Sequence, residues 1–276
     1  IVADTLSCIS VAEAKELGVA LLPQIIIFGN ESFRDDYEID TAEFLRRLRA
    51  SSSLPQTAAP SPALYEPIFQ EFSAAGNTII VICPSNELSG TFRSATVAAQ
   101  EFRDADIRVI DTRTIAAGLG LLVKMAMEWV NQGLDADTIV QKLEEKIKSV
   151  RTYFYVETLE YLFKGGRIGA ASTLMGGLLQ IKPILQLSDG QIQPFERQRT
   201  KRKALDRLME IVKNECPEEN ANSLSLMESD SLETTREVRE TLKSELNLKE
   251  ISIYTLPPAI VVHVGPGVVG ASFLVK

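Results

Sequence analysis

Short, continuous apolar runs alternate along the first half of the chain with longer stretches whose apolar residues recur every three or four positions. Residues 24–28 (QIIIF), 78–83 (TIIVIC) and 107–111 have the β-branched, uninterrupted character of strands buried on both faces. Residues 41–49, 91–102, 115–131 and 137–149 carry helical spacing, and Gly133 closes the third of these. Pro62, preceded by Ser61, suits the first turn of a further helix. Strands separated by helices of this length predict βαβ units and a parallel sheet.

Past Arg151 the pattern changes. Residues 183–187 and 191–195 flank Ser188-Asp189-Gly190, a hairpin signal. Residues 201–214 and 232–246 read as helices, and residues 153–156, 223–227, 251–254 and 260–264 as strands. The chain is therefore read as α/β with two domains. The first, residues 1–150, is a parallel α/β domain; the second, residues 151–276, is an α+β domain with a mixed sheet.

Composition narrows the functional classes. Of 276 residues, 45% are hydrophobic and 24% charged, and the net charge is −8. This balance opposes general binding to nucleic acid, which needs Lys and Arg to neutralise phosphates. The three cysteines (Cys8, Cys83, Cys216) are dispersed and odd in number, which points to free thiols in a reducing cytoplasm. With one histidine and no cysteine pair, no transition-metal site is expected. No apolar run reaches the length of a membrane span.

That histidine, His263, opens HVGPGVVG. Gly265, Gly267 and Gly270 fit G-x-G-x-x-G, but a dinucleotide site also needs a helix after the glycines and an acidic residue about twenty positions on. Residues 271–276 supply neither, so no Rossmann site is expected. The more informative motif is SNELSGTF, residues 85–92, between a strand and a helix start. Open parallel sheets bind ligands beyond the carboxyl ends of their strands, and a helix N-terminus there offers unpaired amides to an anion. Ser89 adds a hydroxyl and Gly90 permits close approach. Ser89 also fits a simple helix cap. A second hydroxyl stands at Thr57 in QTAAPSP, either presented by the loop or used within its own turn.

Three further segments bear on binding. LFKGGRIG places Arg167 after a Gly-Gly helix stop. FERQRT begins a basic cluster that includes Arg199 and Lys201, which fits a solvated helix face or a docking surface for an acidic partner. Residues 171–187 are strongly apolar, as for packed core or the lining of a tunnel.

Taken together, LPQTAAPS, SNELSGTF, TLEYLFKGGRIG, LLQIKPIL, GQIQPFERQRTKRKAL and HVGPGVVG, with the opening VADT, resemble the DegV family over essentially the whole chain. The resemblance implies a two-domain α/β carrier, located in the cytoplasm and without catalytic activity or a cofactor of its own. It would hold one long-chain fatty acid between its domains and present the carboxylate to a partner fatty acid kinase, which makes acyl-phosphate for phospholipid synthesis. Carried over by position, Thr57, Ser89 and His263 would hold the carboxylate, with a backbone amide from Gly90. Arg167 and Arg199 would belong to the surrounding network or the kinase-facing surface, and Met175, Leu178 and Leu179 would line the acyl chain. Ala58 departs from the family, which usually has Ser after the loop threonine, and LSCI after the opening motif departs from its more usual acidic or alanine-containing form.

A lipid of about fourteen methylenes gains on the order of 11 kcal/mol on leaving water, at roughly 0.8 kcal/mol each. Its head group is tolerable in a protein only when several donors satisfy it. The competing reading is an esterase or acyltransferase with Ser89 as nucleophile and His263 as base. Against it, Ser89 sits in Leu-Ser-Gly, not in a G-x-S-x-G elbow.

Overall fold

The computed structural model describes residues 1–174 and 181–276. It divides into two compact units, one made of Ile1–Asp40 and Pro55–Lys148, the other of Thr41–Leu54 and Ser149–Lys276. The second unit thus takes a piece of chain from within the N-terminal half.

In chain order the elements up to Lys148 are β1 (Val2–Asp4), α1 (Val11–Leu17), β2 (Ala20–Leu22), β3 (Ile25–Phe28), β4 (Glu31–Arg34), α2 (Thr41–Ala50), β5 (Gln56–Ala58), α3 (Pro62–Ala74), β6 (Ile79–Cys83), α4 (Thr91–Gln100), β7 (Ile107–Asp111), α5 (Ala117–Asn131) and α6 (Ala136–Ile147). All but α2 belong to the first unit. Its main sheet has the order β2-β1-β6-β7 with every pair parallel. All five residues of β6 are buried, as its unbroken apolar run requires. Tyr65 and Phe69 of α3 and Ala95 and Ala98 of α4 pack with Val2, Ile79 and Val81 of this sheet.

From β1 the chain leaves through α1 toward β2, and from β6 through α4 toward β7. These neighbouring strands therefore send their connections in opposite directions along the sheet. The carboxyl ends of β1 and β6 form a topological switch point, where doubly wound sheets open a crevice. A small antiparallel sheet, β4-β3-β5, completes the unit. Thr57, read from sequence as a loop residue, lies in β5 and pairs with Ile26.

The second unit contains α2, β8 (Val150–Tyr155), α7 (Glu160–Lys164), β9 (Lys182–Ser188), β10 (Gln191–Gln198), α8 (Lys201–Glu215), β11 (Ser225–Ser229), α9 (Leu232–Glu245), β12 (Ser252–Thr255), α10 (Pro258–Val264) and β13 (Val268–Leu274). Its sheet runs β10-β9-β8-β13-β11-β12, antiparallel except for the β11–β12 pair. Asp189 and Gly190 both have positive φ (53° and 79°) in the β9–β10 turn, which matches the twist of the strands it joins. Helix α2 is tied to this unit by the Thr41 hydroxyl, which donates to the Leu256 carbonyl at 3.1 Å, and by Arg49, which reaches Asp230.

One sequence expectation fails here. Residues 260–264, read as a strand, form the last part of α10. Pro257 caps this helix and Pro258 occupies its first turn, where a fixed φ favours helix over strand. Ala259 through Val262 and Val264 are all buried. With no solvated face the segment carries no amphipathic period, so its β-branched residues imitate a buried strand.

In the first unit, α5 fixes the backbone that follows β1. The Ala116 amide donates to the Leu6 carbonyl at 2.8 Å, and a Cβ on Gly120 would lie 2.3 Å from the Ser7 carbonyl oxygen. Only glycine allows that approach. Gly120→Ala is expected to destabilise the protein by about 1–3 kcal/mol through forced separation of helix and turn, read as a lowered midpoint in thermal or urea unfolding.

Candidate anion site

At the switch point β1 ends in Asp4, which is completely buried. Its Oδ1 accepts from the Leu6 amide at 3.1 Å, capping the short 3-10 turn Thr5–Ser7. Its Oδ2 accepts from Gln24 Nε2 and from the Thr91 hydroxyl, each at 2.7 Å. Asp35 lies close by and is also buried. Its Oδ1 takes hydrogen bonds from the Thr5 hydroxyl (2.7 Å) and the Gln24 amide (2.8 Å). Burial raises the Asp4 carboxyl to about 7, with the Asp35 charge adding to the rise and the Thr91, Leu6 and Gln24 hydrogen bonds opposing it. Burial raises Asp35 to about 7 as well.

Thr91 is the first residue of α4, and Gly90 is its N-cap. Ser89, one position earlier, is half-buried. Its oxygen lies 3.0 Å from the Thr91 hydroxyl and accepts from the Thr91 amide at 3.3 Å. Ser89 thus engages the first residue of α4 while keeping part of its surface open. Gly90 is exposed, has an ordinary backbone φ of −75°, and a Cβ there would meet only Ala59 at 3.5 Å. That approach, with the Ser94 hydroxyl donating to the Pro60 carbonyl, brings the segment following Thr57 against the start of α4. Ala59 and Pro60, two and three positions after Thr57, thus lie against the helix start that bears Ser89 and Gly90.

The second unit holds His263 near the C-terminus of α10. A Cβ on Gly165 would lie 2.3 Å from Nδ1 of His263 and 3.0 Å from the Tyr161 carbonyl, so the glycine that ends α7 is what leaves room for the imidazole. Arg167 donates to the Gly165 carbonyl at 2.8 Å, which places a guanidinium beside the same turn. Burial lowers His263 to about 4, and the positive charge of Arg167 acts in the same direction. The imidazole is therefore neutral at pH 7, able to donate from one nitrogen. A Cβ on Gly265, whose φ is +77°, would lie 2.4 Å from the Tyr161 ring, so α10 ends in a turn that only glycine fits. Arg199 is exposed just before Thr200, which caps α8. Met175, Leu178 and Leu179 lie outside the described residues.

Sequence reading singled out the half-buried hydroxyls of Thr57 and Ser89 and missed most of what surrounds them. Gln24 and Asp35 carry no motif of their own, and Thr91, though within SNELSGTF, meets Gln24 and Asp4 across 67 and 87 positions of chain. Asp4 had a signal, an acidic residue ending the first strand of a parallel sheet.

The fold and this geometry define a class: a two-unit α/β protein whose parallel sheet presents hydroxyls and amides at the switch-point edge, with a neutral imidazole beside an arginine in its other unit. Comparison with known proteins makes the class specific. The family model described as "Uncharacterised protein, DegV family" matches residues 1–276, and the chain belongs to the DegV family. A DegV domain-containing protein of Halalkalibacterium halodurans is 30% identical over 277 residues, covering 100% of this chain and 98% of that protein. Among solved structures, a DegV family protein from Thermus thermophilus described for fatty acid binding has a TM-score of 0.90 at 28% identity, covering 100% of this chain and 98% of that one. A fatty acid binding DegV family protein from Streptococcus agalactiae gives 0.89 at 27% identity with the same coverage.

Because the chain has one histidine, its imidazole can be followed without ambiguity. NMR titration is expected to give a midpoint near 4, against the ordinary 6.5. The unfolded chain takes up this proton at higher pH than the folded protein, so the His263 contribution to stability is lost as pH falls from about 6.5 through about 4. Asp4 and Asp35 act oppositely over about 4 to 7, so the informative quantity is the stability difference between wild type and His263→Asn across that window. Gly165→Ala should push the imidazole out and move its midpoint up toward 6.5; an unmoved midpoint would show that the glycine is not what confines it.

Proposed function

We propose that this protein binds a long-chain fatty acid and that Thr57, Ser89, the Gly90 amide and His263 take its carboxylate. The observation that carries the reading is the half-buried Ser89 hydroxyl at the N-terminus of α4, on the switch-point edge of the parallel sheet. Unpaired amides and the positive end of the helix dipole favour an anion there. The fatty acid binding described for the Thermus thermophilus and Streptococcus agalactiae relatives supports a carboxylate with a long apolar tail as that anion.

The finer part of the proposal concerns what happens to the bound acid. The protein acts as a carrier in the cytoplasm and presents the carboxylate to a separate fatty acid kinase, which forms the acyl-phosphate that feeds phospholipid synthesis. Arg167 and Arg199 would serve this exchange, since a guanidinium's fork of donors suits both phosphate and an acidic partner. Within its own unit the Ser89 hydroxyl contacts Thr91, itself bonded to Asp4.

Protein purified without added lipid is expected to release about one equivalent of fatty acid on solvent extraction, measured by mass spectrometry. Absence of lipid, together with no uptake of added fatty acid after stripping, would end the proposal. Ser89→Ala, Thr57→Val and His263→Ala should each weaken binding about 10- to 100-fold, the worth of one hydrogen bond to a charged group. Arg199→Ala should leave lipid affinity unchanged while reducing acyl-phosphate formation when a fatty acid kinase and ATP are supplied.

A further inference from the structure

The contacts around Ser89 form a continuous line of exchangeable protons. Asp4 Oδ2, Thr91 Oγ1 and Ser89 Oγ follow one another at 2.7 and 3.0 Å. Asp4 and Thr91 are buried and Ser89 is half-buried. Gln24 Nε2 holds the inner end in place, 2.7 Å from Asp4 Oδ2 and 3.1 Å from Thr91 Oγ1. We infer that Asp4 is a positioning residue for anion capture: through Thr91, its protonation decides whether Ser89 turns a proton or a lone pair toward the ligand. The inference rests on the reading of Ser89 as a carboxylate ligand.

The proton count gives the reason. A hydroxyl has one proton to donate. With Asp4 ionised, Thr91 must direct its proton to Asp4 Oδ2, and Ser89 directs its own to Thr91. The outer face of Ser89 then offers lone pairs, which repel a carboxylate. If Ser89 turned its proton outward, two oxygens 3.0 Å apart would be left with no proton between them. With Asp4 neutral, its proton goes to Thr91, the Thr91 proton goes to Ser89, and the Ser89 proton goes to the anion. Ser89 still accepts from the Thr91 amide. Three protons now serve three donations, so capture of one carboxylate is accompanied by uptake of one solvent proton at Asp4.

The surroundings favour that exchange near neutral pH. Asp4 is raised to about 7 by burial, and the charged neighbour acting on it is Asp35, of like sign. The other titratable groups that sense Asp4 are Cys8, Cys83 and Tyr65, all held neutral by burial. Lys124 and Glu13 act on Cys8, and Asp111 acts on Cys83.

The test uses protein stripped of lipid and octanoate, a soluble carboxylate that stays ionised over about pH 6 to 8.5. Affinity and proton uptake are measured by calorimetry in buffers of different ionisation enthalpy. Wild type should weaken by up to about tenfold per pH unit above neutrality and take up about one proton. Asp4→Asn should bind with a flat pH profile, because a carboxamide does not titrate. Thr91→Val should be weak and flat, and Thr91→Ser should restore the slope. A wild-type slope that survives in Asp4→Asn overturns the relay. Ser89→Ala that binds as tightly as wild type overturns the carboxylate reading and the relay with it; Ser89→Ala that loses binding beside a flat wild-type profile overturns the relay alone. If Asp4→Asn fails to fold, carbon NMR of wild-type Asp4 decides the matter: saturating octanoate should raise its titration midpoint, and an unmoved midpoint overturns the inference.

Discussion

Everything at the switch-point edge depends on keeping the Asp4 carboxyl out of water. A charge buried without compensation is prohibitively unfavourable, so such a group must collect donors or take a proton. Asp4 does some of both. The donors it collects come from the turn after β1, from Gln24 beyond β2 and from the first residue of α4. One carboxyl thereby holds three separate stretches of chain in register, and the helix start that bears Ser89 is one of them.

The two units treat their titratable groups in a matched way. Burial makes the carboxyls of Asp4 and Asp35 easier to protonate and makes the imidazole of His263 harder to protonate. Both shifts remove charge from the protein side. Within the first unit, the Ser89 hydroxyl and the amides at the start of α4 are likewise uncharged. Such donors satisfy an anion without the desolvation cost of a permanent buried ion pair, and they leave selectivity to whatever the rest of the ligand can bury.

The sequence disclosed architecture where local pattern and packing agree. TIIVIC, the Asp189-Gly190 turn and the helices from Lys201 and Leu232 all form where their composition places them. It misled at α10, where two prolines start a helix that is buried all round, so that neither period survives. The hydroxyls of Thr57 and Ser89 and the imidazole of His263 were singled out by motif resemblance alone. The bonds joining Gln24, Asp4 and Thr91 were not legible, because VADT and SNELSGTF mark Asp4 and Thr91 without showing that they meet across 87 positions of chain. The narrow gap at Gly165 was equally hidden, since a glycine that stops a helix and a glycine that clears space for a ring look the same in one dimension.

The second unit recruits Thr41–Leu54 from the middle of the sequence that otherwise builds the first. As the polypeptide emerges from a ribosome, the first unit has all its strands by Lys148, while α2 still lacks its partners. Phe44, Leu45 and Leu48, all buried in the finished protein, stay exposed until the last hundred or so residues are made. A gene cut at the obvious halfway boundary would strand this sticky helix on the wrong fragment. Because α2 lies between the two stretches that build the first unit, no single cut of the chain leaves both units whole.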